Sequence, residues 1–586
     1  MDKNQIIQVL EEIATLLELK DENRFKVIAY RNAARALETL PKPLEDYIQN
    51  NTLHEIKGIG TAISEKITTL YNQGTLPYYD ELKSSIPQGL LSLLEIPGLG
   101  PKKVKLLYDQ LQIDSIEKLE KACQAGQLES LKGFGKKTEA NILEGIAQRR
   151  LFSNQFLTGN IRPLAESLLD TLRAHPATIQ IAIAGSLRRW KETIKDIDLI
   201  ASSSSPHDLM QAFVSLPAVQ RILNHGETKS SVILQNGIQC DLRVVPDKIY
   251  PYALAHFTGS KEHNIALRQR AIHQGKKLSE WGLFQIGKNG EEILVPCRSE
   301  EELHQALGLD FIPPELREDL GEIEASESHR LPRLIEWTEI KGTLHCHTTE
   351  SDGASTLEEI AHSAIELGLQ YLGVSDHSRS QFQAHGLDET RLLNQIRTIK
   401  NWNQLHAPTY GLHLLAGCEV DILKDGSLDF PDTVLAELDF VIASIHSGFS
   451  HDENAMTQRL LAAIQNPYVT VIGHPTGRLL LQRQPYPLDI PRILEAAAKT
   501  GTWIELNATP SRLDLDWRWW RKARELGVRC VITTDAHHAD QLHYLRLGTQ
   551  LARKGWLESR DVVNTAPWPK FKALLQEKRK RFGLGP

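Results

Sequence analysis

No stretch of this chain is apolar for long enough to cross a membrane, and its start lacks the charged, apolar and small-residue order of a signal peptide. The opening run Ile6, Ile7, Leu10, Ile13, Leu16 and Leu17 has helical spacing instead, so a cytoplasmic start is expected. None of the six cysteines (Cys123, Cys240, Cys297, Cys346, Cys418, Cys530) pairs with another in a CxxC, which removes zinc knuckles and a disulfide framework and leaves reduced, buried thiols. Positive charge is not in surplus either: 67 Lys and Arg stand against 74 Asp and Glu, a net charge of -7. A dedicated polyanion binder is often basic overall, so any nucleic-acid contact must come from local patches. Lys102, Lys103 and Lys105, with Lys132, Lys136 and Lys137 further on, make such a patch, each cluster following a glycine-rich turn.

What is present is length and ordinary globular composition. At 586 residues, with 41% hydrophobic and 24% charged residues, the chain exceeds what one core usually covers, and several domains are expected.

Three similar segments open it: LHEIKGIGTAISEKI (53–67), LLEIPGLGPKKVKLL (93–107) and LESLKGFGKKTEANIL (128–143). Each sets a Gly-x-Gly turn (Gly58 and Gly60, Gly98 and Gly100, Gly133 and Gly135) between two helical patterns. Glycine there permits positive φ and close approach, and the helix that follows offers free N–H groups to an anion. One copy is compatible with a plain helical hairpin; three copies, taken with the carboxylate motif described below, favour phosphate contact. The spacing resembles the helix-hairpin-helix motif, which grips nucleic-acid phosphates without reading bases.

Short β-rich runs follow at 179–185, 196–202, 231–237 and 238–245, then mostly helical and loop text, then an acidic stretch at 301–340 containing Pro313 and Pro314. Its end, 319–340, reads as a linker. From 341 about seven β-rich runs alternate with helical patterns, which predicts a parallel barrel whose strand ends gather at one mouth.

Gly185-Ser186-Leu187-Arg188-Arg189, followed by Asp196-Ile197-Asp198, is the sharpest local signal. Residues i and i+2 of a strand share a face, so Asp196 and Asp198 aim both carboxylates at one point, and Asp241 in the run 238–245 adds a third. Three convergent carboxylates suit Mg²⁺ or Mn²⁺ bridging a substrate phosphate. Gly185 and Ser186 would cradle triphosphate oxygens, and Arg189 would neutralise developing charge.

With these residues and the segment His256-Phe257-Thr258-Gly259-Ser260, then Asn264 and Arg268, the first 315 residues or so resemble the family X DNA polymerases. The resemblance implies that Phe257, Gly259, Asn264 and Arg268 meet the incoming nucleotide and template. The family usually has tyrosine where this chain has His256, which leaves ribonucleotide discrimination open. Lys66 falls where relatives carry a lyase Schiff-base lysine, and Ala62 stands where they often carry another lysine.

The C-terminal part places His345, His347, Asp352, His377 (beside Asp376), Glu419, His446, His474, Asp535 and His537 at successive strand ends. Imidazole with carboxylate suits Zn²⁺, Mn²⁺ or Fe²⁺. The order resembles the polymerase and histidinol phosphatase (PHP) domain, a distorted barrel, which implies these nine residues as ligands of up to three clustered metals. Arg478 is a candidate phosphate clamp.

The expected fold is therefore multidomain α+β and α/β: helix-hairpin-helix domains at 1–85 and 86–150, a nucleotidyltransferase palm with a mixed sheet at 151–250, and a thumb at 251–318. The linker 319–340, a distorted (β/α)7 PHP barrel at 341–575 and a basic tail at 576–586 complete it. Fusion of these modules resembles bacterial and archaeal family X polymerases. It implies gap-filling DNA synthesis on gapped or primed DNA with dNTPs, joined to 3′-5′ exonuclease and abasic-site or 3′-end processing. A cytoplasmic, membrane-free monomer, nucleoid-associated when on DNA, is expected. Two other readings keep the residues but change the outcome: a tRNA- or metabolite-type nucleotidyltransferase with an attached metabolite phosphatase, and a DNA-binding scaffold with relic sites.

Overall fold

The computed structural model describes residues 1, 3–38, 40, 44–94, 96, 98–131, 133–152 and 154–584; Lys132 of the basic patch lies outside them. Two compact units divide the chain, Met1–Ser153 and Asn154–Pro586. No helix among the described residues is long and apolar enough to cross a membrane. All six cysteines are free and buried.

The first unit is helical. Ile6, Leu10, Ile13 and Leu17 of the helix Lys3–Leu19 are fully buried while Ile7 is partly so, as the 3.6-residue spacing requires. The three glycine turns take one form. Gly58, Gly98 and Gly133 have φ of +104°, +84° and +89°, and two residues later Gly60, Gly100 and Gly135 precede the helices Thr61–Gln73, Pro101–Leu111 and Lys136–Phe152.

The second unit begins with a five-stranded mixed sheet, in spatial order Thr178–Ile183, Asp196–Ser203, Gln239–Val245, Lys229–Leu234 and Val219–His225. The strand Val219–His225 escaped the sequence reading because it lies at the sheet edge and is exposed along nearly its whole length, so no apolar alternation marks it. The text after 250 likewise holds an antiparallel three-stranded sheet (Lys276–Ser279, Gly282–Ile286, Glu292–Leu294), not only helix and loop.

Seven parallel strands in sequence order form the C-terminal barrel: Gly342–Thr343, Tyr371–Val374, His413–Asp421, Phe440–Ser444, Val471–Ile472, Trp503–Asn507 and Cys530–Thr533. Just beyond the first and last strands an isolated parallel bridge joins Cys346 to Ala536. The Asn564 side chain completes the closure, donating to Gly342 O (2.9 Å) and Ile532 O (2.8 Å) and accepting from the Ile532 N–H. Leu344, Tyr371, Phe440, Ile442, Val471, Trp503 and Val531 pack one core with Phe571, which stacks on Tyr371 at 3.9 Å.

Two expected segments differ. The stretch 319–340 is no linker: Glu322 is fully buried 2.6 Å from His263, and Ile335 belongs to the barrel core. Its acidic composition reads as a linker, but Glu322 is paired with a histidine distant in sequence. The basic tail is docked at its start: Lys578 donates to the carbonyls of Ile464 and Val469, and Arg579 to Leu438, so these two cations cap backbone oxygens.

Candidate active sites

In the palm sheet the strand Asp196–Ser203 runs parallel to Gln239–Val245, with Asp198 directly opposite Asp241. Adjacent strands lie about 4.8 Å apart, and Asp196 shares the face of Asp198, so three carboxylates converge as the spacing predicts. Their crowding is visible in their acidities. Asp198 is pushed up to about 6 by burial and by the charges of Asp196 and Asp241, and Asp196 is raised by burial and by the charge of Asp241. Asp241 is lowered: burial opposes its charge, but hydrogen bonds from Lys229 (2.6 Å), Gln239 (2.9 Å) and Ser231 outweigh it. An all-oxygen donor set whose charges repel one another fits hard divalent cations.

Gly185 opens the short helix Gly185–Arg188 at φ +62°, and its Cα faces the Asp198 carboxylate. Ser186 sits in the same turn. Arg189 differs from expectation: it is buried, with Nε 3.1 Å from Glu318 and Nη1 donating to Thr258 O at 2.7 Å, so it is a tie between palm and thumb and does not face the carboxylates. Asn264 Nδ2 donates to His256 O at 2.7 Å, Arg268 lies 3.3 Å from His256 Nδ1, and a Cβ on Gly259 would press on Asn264. Phe257 lies beneath the Arg243 guanidinium, 4.6 Å from the ring. Sequence reading missed Lys229 and Arg243; Arg243 was findable, two residues beyond Asp241 on the same strand face.

At the barrel rim eight of the nine predicted ligands surround one carboxylate or its neighbours. Glu419 is fully buried; its Oε1 lies 2.9 Å from His474 Nε2 and 3.2 Å from His446 Nε2. Its Oε2 lies 2.9 Å from His377, 3.4 Å from His345 and 3.7 Å from His347. Asp535 Oδ1 is 3.2 Å from His347 Nε2 and 3.4 Å from His345 Nε2, while Asp352 faces His377 at 3.6 Å and His537 at 3.5 Å. Three groups have donor atoms close enough to share an ion: His347, Asp352, His377 and His537; His345, His347 and Asp535; His377, Glu419 and His446. Among the described residues, buried His345 Nε2, His347 Nδ1 and Glu419 Oε2 have no hydrogen-bond partner, which fits lone pairs reserved for cations. The histidines' acidities split by neighbour. Despite burial, Glu419 and Asp352 raise His377 to about 10, whereas burial and two adjacent imidazoles push His347 down to about 3.

Asp376, noted beside His377, is not part of this set: it accepts from Thr348 N, Thr348 Oγ1, Ser351 and Gln395 and braces the loop. Arg478 is not a phosphate clamp. It is buried against Glu192 (2.5 Å), Asp516 (2.8 Å) and the Arg512 carbonyl (2.9 Å). Arg512 takes the position Arg478 was expected to hold, lining the cavity of the candidate metal ligands with Nε 3.1 Å from Asp535.

The sequence reading also missed Glu505 and Asp421, which orient two imidazoles. Glu505 accepts from His345 Nδ1 at 2.5 Å and from Thr533 at 2.7 Å; Asp421 stands 2.6 Å from His446 Nδ1. Fixing the far nitrogen sets the tautomer of the near one. Replacing Glu505 with Gln is therefore expected to lower metal affinity and phosphodiester hydrolysis about 10- to 100-fold while nucleotide addition is kept. Metal content after dialysis and rates for both reactions on one preparation check this.

In the first unit, Lys66 Nζ lies over the Tyr78 ring (4.9 Å) and Tyr30 ring (5.9 Å) and 3.4 Å from Ala62 O. Lys103 donates to Gly98 O at 3.0 Å, and Lys102 is exposed.

A carboxylate triad on a mixed sheet and a histidine–carboxylate cluster on a βα barrel define a nucleotidyltransferase joined to a metal-dependent phosphoesterase. The comparisons agree. Residues 253–318 match the DNA polymerase beta thumb, 1–76 a helix-hairpin-helix domain, 90–148 a SAM-like helix-hairpin-helix tandem and 343–509 the PHP domain. The chain is 40% identical over 579 residues to the DNA polymerase/3′-5′ exonuclease PolX of Bacillus subtilis, covering 98% of this chain and 100% of that protein. A probable phosphatase of Caldanaerobacter subterraneus is 34% identical over 252 residues, 41% of this chain and 93% of that protein. The chain belongs to the bacterial family X DNA polymerases that carry a C-terminal PHP domain.

Proposed function

We propose that this protein fills short gaps in DNA by template-directed nucleotidyl transfer at Asp196, Asp198 and Asp241, and trims 3′ ends or abasic sites at the barrel rim. The observation that carries the reading is the register placing Asp198 opposite Asp241, with Asp196 on the same face and the histidine cluster on a separate sheet.

At the first site, Mg²⁺ or Mn²⁺ held by the three aspartates would polarise the α-phosphate and favour the ionised primer 3′-hydroxyl. Gly185 and Ser186 present backbone N–H groups and a hydroxyl to triphosphate oxygens, while Phe257, Gly259, Asn264 and Arg268 border the nucleotide and template. At the second, His345, His347, Asp352, His377, Glu419, His446, His474, Asp535 and His537 would hold up to three Mn²⁺, Zn²⁺ or Fe²⁺ ions, which supply an activated water and neutralise the phosphate. Glu505 and Asp421 keep the imidazoles turned inward, and Arg512 orients the phosphodiester.

The chain divides its work accordingly: 1–85 and 86–150 grip DNA, 151–250 and 251–318 polymerise, and 341–575 hydrolyses. Gly60, Gly100 and Gly135 support the DNA contact. They lack positive φ, and a Cβ on any of them would meet nothing within 4 Å among the described residues, so neither conformation nor crowding by those residues calls for glycine there. Phosphate passing close to the backbone does. Gly58, Gly98 and Gly133 form the turns themselves, with Lys102 and Lys103 beside the second. Lyase chemistry at Lys66 is an addition to this reading, with its amine set over tyrosine rings. The protein acts as a monomer in the cytoplasm, nucleoid-associated on DNA.

A gapped duplex with one templating base tests the reading. With Mg²⁺ or Mn²⁺ the protein is expected to add only the complementary dNTP, with binding weakening steeply as salt rises. Addition that ignores the templating base would favour a metabolite- or tRNA-type transferase.

A further inference from the structure

The barrel and the polymerase half share a buried seam. The helix Thr158–Arg173 enters it at Gly159, where a Cβ would lie 2.7 Å from Leu547 and 2.8 Å from Pro510 of the barrel. Trp190 packs on the barrel core beneath the Arg162 guanidinium at 4.3 Å. Beside it runs a chain of charges. Lys554, at the end of the barrel helix Tyr544–Lys554, is fully buried over the Trp517 ring at 4.4 Å. Its ammonium donates to Arg189 O at 2.9 Å, Glu318 Oε1 at 2.7 Å and Glu315 O at 3.2 Å. The same Glu318 oxygen accepts from Arg189 Nε at 3.1 Å, and Arg189 Nη1 reaches the carbonyls of Thr258 (2.7 Å) and Gly259 (3.3 Å).

All three donors of this barrel lysine therefore serve the polymerase half. They meet where the Gly185–Arg188 turn ends and where the thumb ends, so one ammonium ties the triphosphate cradle to the thumb. Nothing in hydrolysis at the rim requires this. Lys554 touches none of the candidate metal ligands, and its hydrogen bonds all go to the loop between Arg188 and Asp196 and to residues 315–318, its stem alone resting on the barrel's Trp517.

We propose that Lys554 is a positioning residue for nucleotidyl transfer: the phosphoesterase barrel supplies the cation that holds the nucleotide-binding turn against the thumb. The inference rests on the proposed polymerase activity. It makes the barrel part of the synthetic centre, so synthesis depends on a residue outside the polymerase sequence.

The test uses the full-length protein with Lys554→Met, which keeps the stem over Trp517, and Glu318→Gln, which keeps the shape of the carboxyl partner. On gapped DNA, Lys554→Met is expected to raise KM for dNTP from a few-fold to about 30-fold, with a smaller fall in kcat. Hydrolysis of a DNA 3′ end by the same preparation is expected to stay within twofold. Glu318→Gln shifts KM in the same direction, and the double variant raises KM by less than the product of the two single effects, because the two residues share one link while Glu318 also holds Arg189. Wild-type KM in both single variants, or an equal loss of synthesis and hydrolysis, overturns the proposal. If Lys554→Met does not fold, Glu318→Gln alone decides: raised KM with hydrolysis kept supports the link, and unchanged KM overturns it. A wild-type protein that extends no gapped DNA overturns the polymerase reading itself and this inference with it.

Discussion

Gly185→Ala is expected to lower nucleotide addition by about 10² to 10³ while leaving 3′-end hydrolysis intact. An added Cβ at Gly185 would lie 2.1 Å from Asp198 Oδ2 and 3.3 Å from Asp198 Cβ, so the central carboxylate of the triad must move. The glycine also holds φ +62°, where an L side chain costs about 1–2 kcal/mol. That cost is small beside the roughly 5–15 kcal/mol stability of a typical domain, so the fold should survive and the damage should concentrate on the site. Single-turnover extension of a gapped primer, with hydrolysis measured on the same sample, reads the effect. Wild-type extension would mean that the turn does not abut the working position of Asp198.

The second large effect is expected at Glu419. One buried carboxylate faces five imidazoles, those of His345, His347, His377, His446 and His474. Glu419→Gln keeps the volume but loses the charge that lets one group bridge cations. Hydrolysis is expected to fall by about 10³ or more, beyond the 10- to 100-fold typical of losing a supporting partner such as Glu505. Nucleotide addition is expected to be unchanged, since Glu419 belongs to the barrel sheet and the triad to another. Rates of 3′-end release at saturating Mn²⁺ measure this, and a loss below tenfold would remove Glu419 from the centre.

Much of both sites was legible because their residues obey local geometry. Asp196 and Asp198 are two apart on a strand, and the barrel ligands follow successive parallel strands, whose ends gather at one mouth. Residues whose role depends on a distant partner were not legible. Glu505 sits inside an ordinary apolar strand, and only the fold brings it to His345. Arg189 and Arg478 read as phosphate-facing arginines, yet Glu318 and Glu192 bury them. Glu322 belongs to an acidic stretch that reads as a linker, and only the fold sets it against His263. Edge strands such as Val219–His225 bury too little to imprint a period on the sequence.

The central claim is that synthesis and hydrolysis are separate chemistries in one chain. Asp198→Ala and His345→Ala, assayed beside wild type on one gapped duplex with Mg²⁺ or Mn²⁺, test it most directly. Asp198→Ala should stop primer extension and still shorten the 3′ end; His345→Ala should extend and no longer shorten it. Loss of the same activity in both variants would contradict the account.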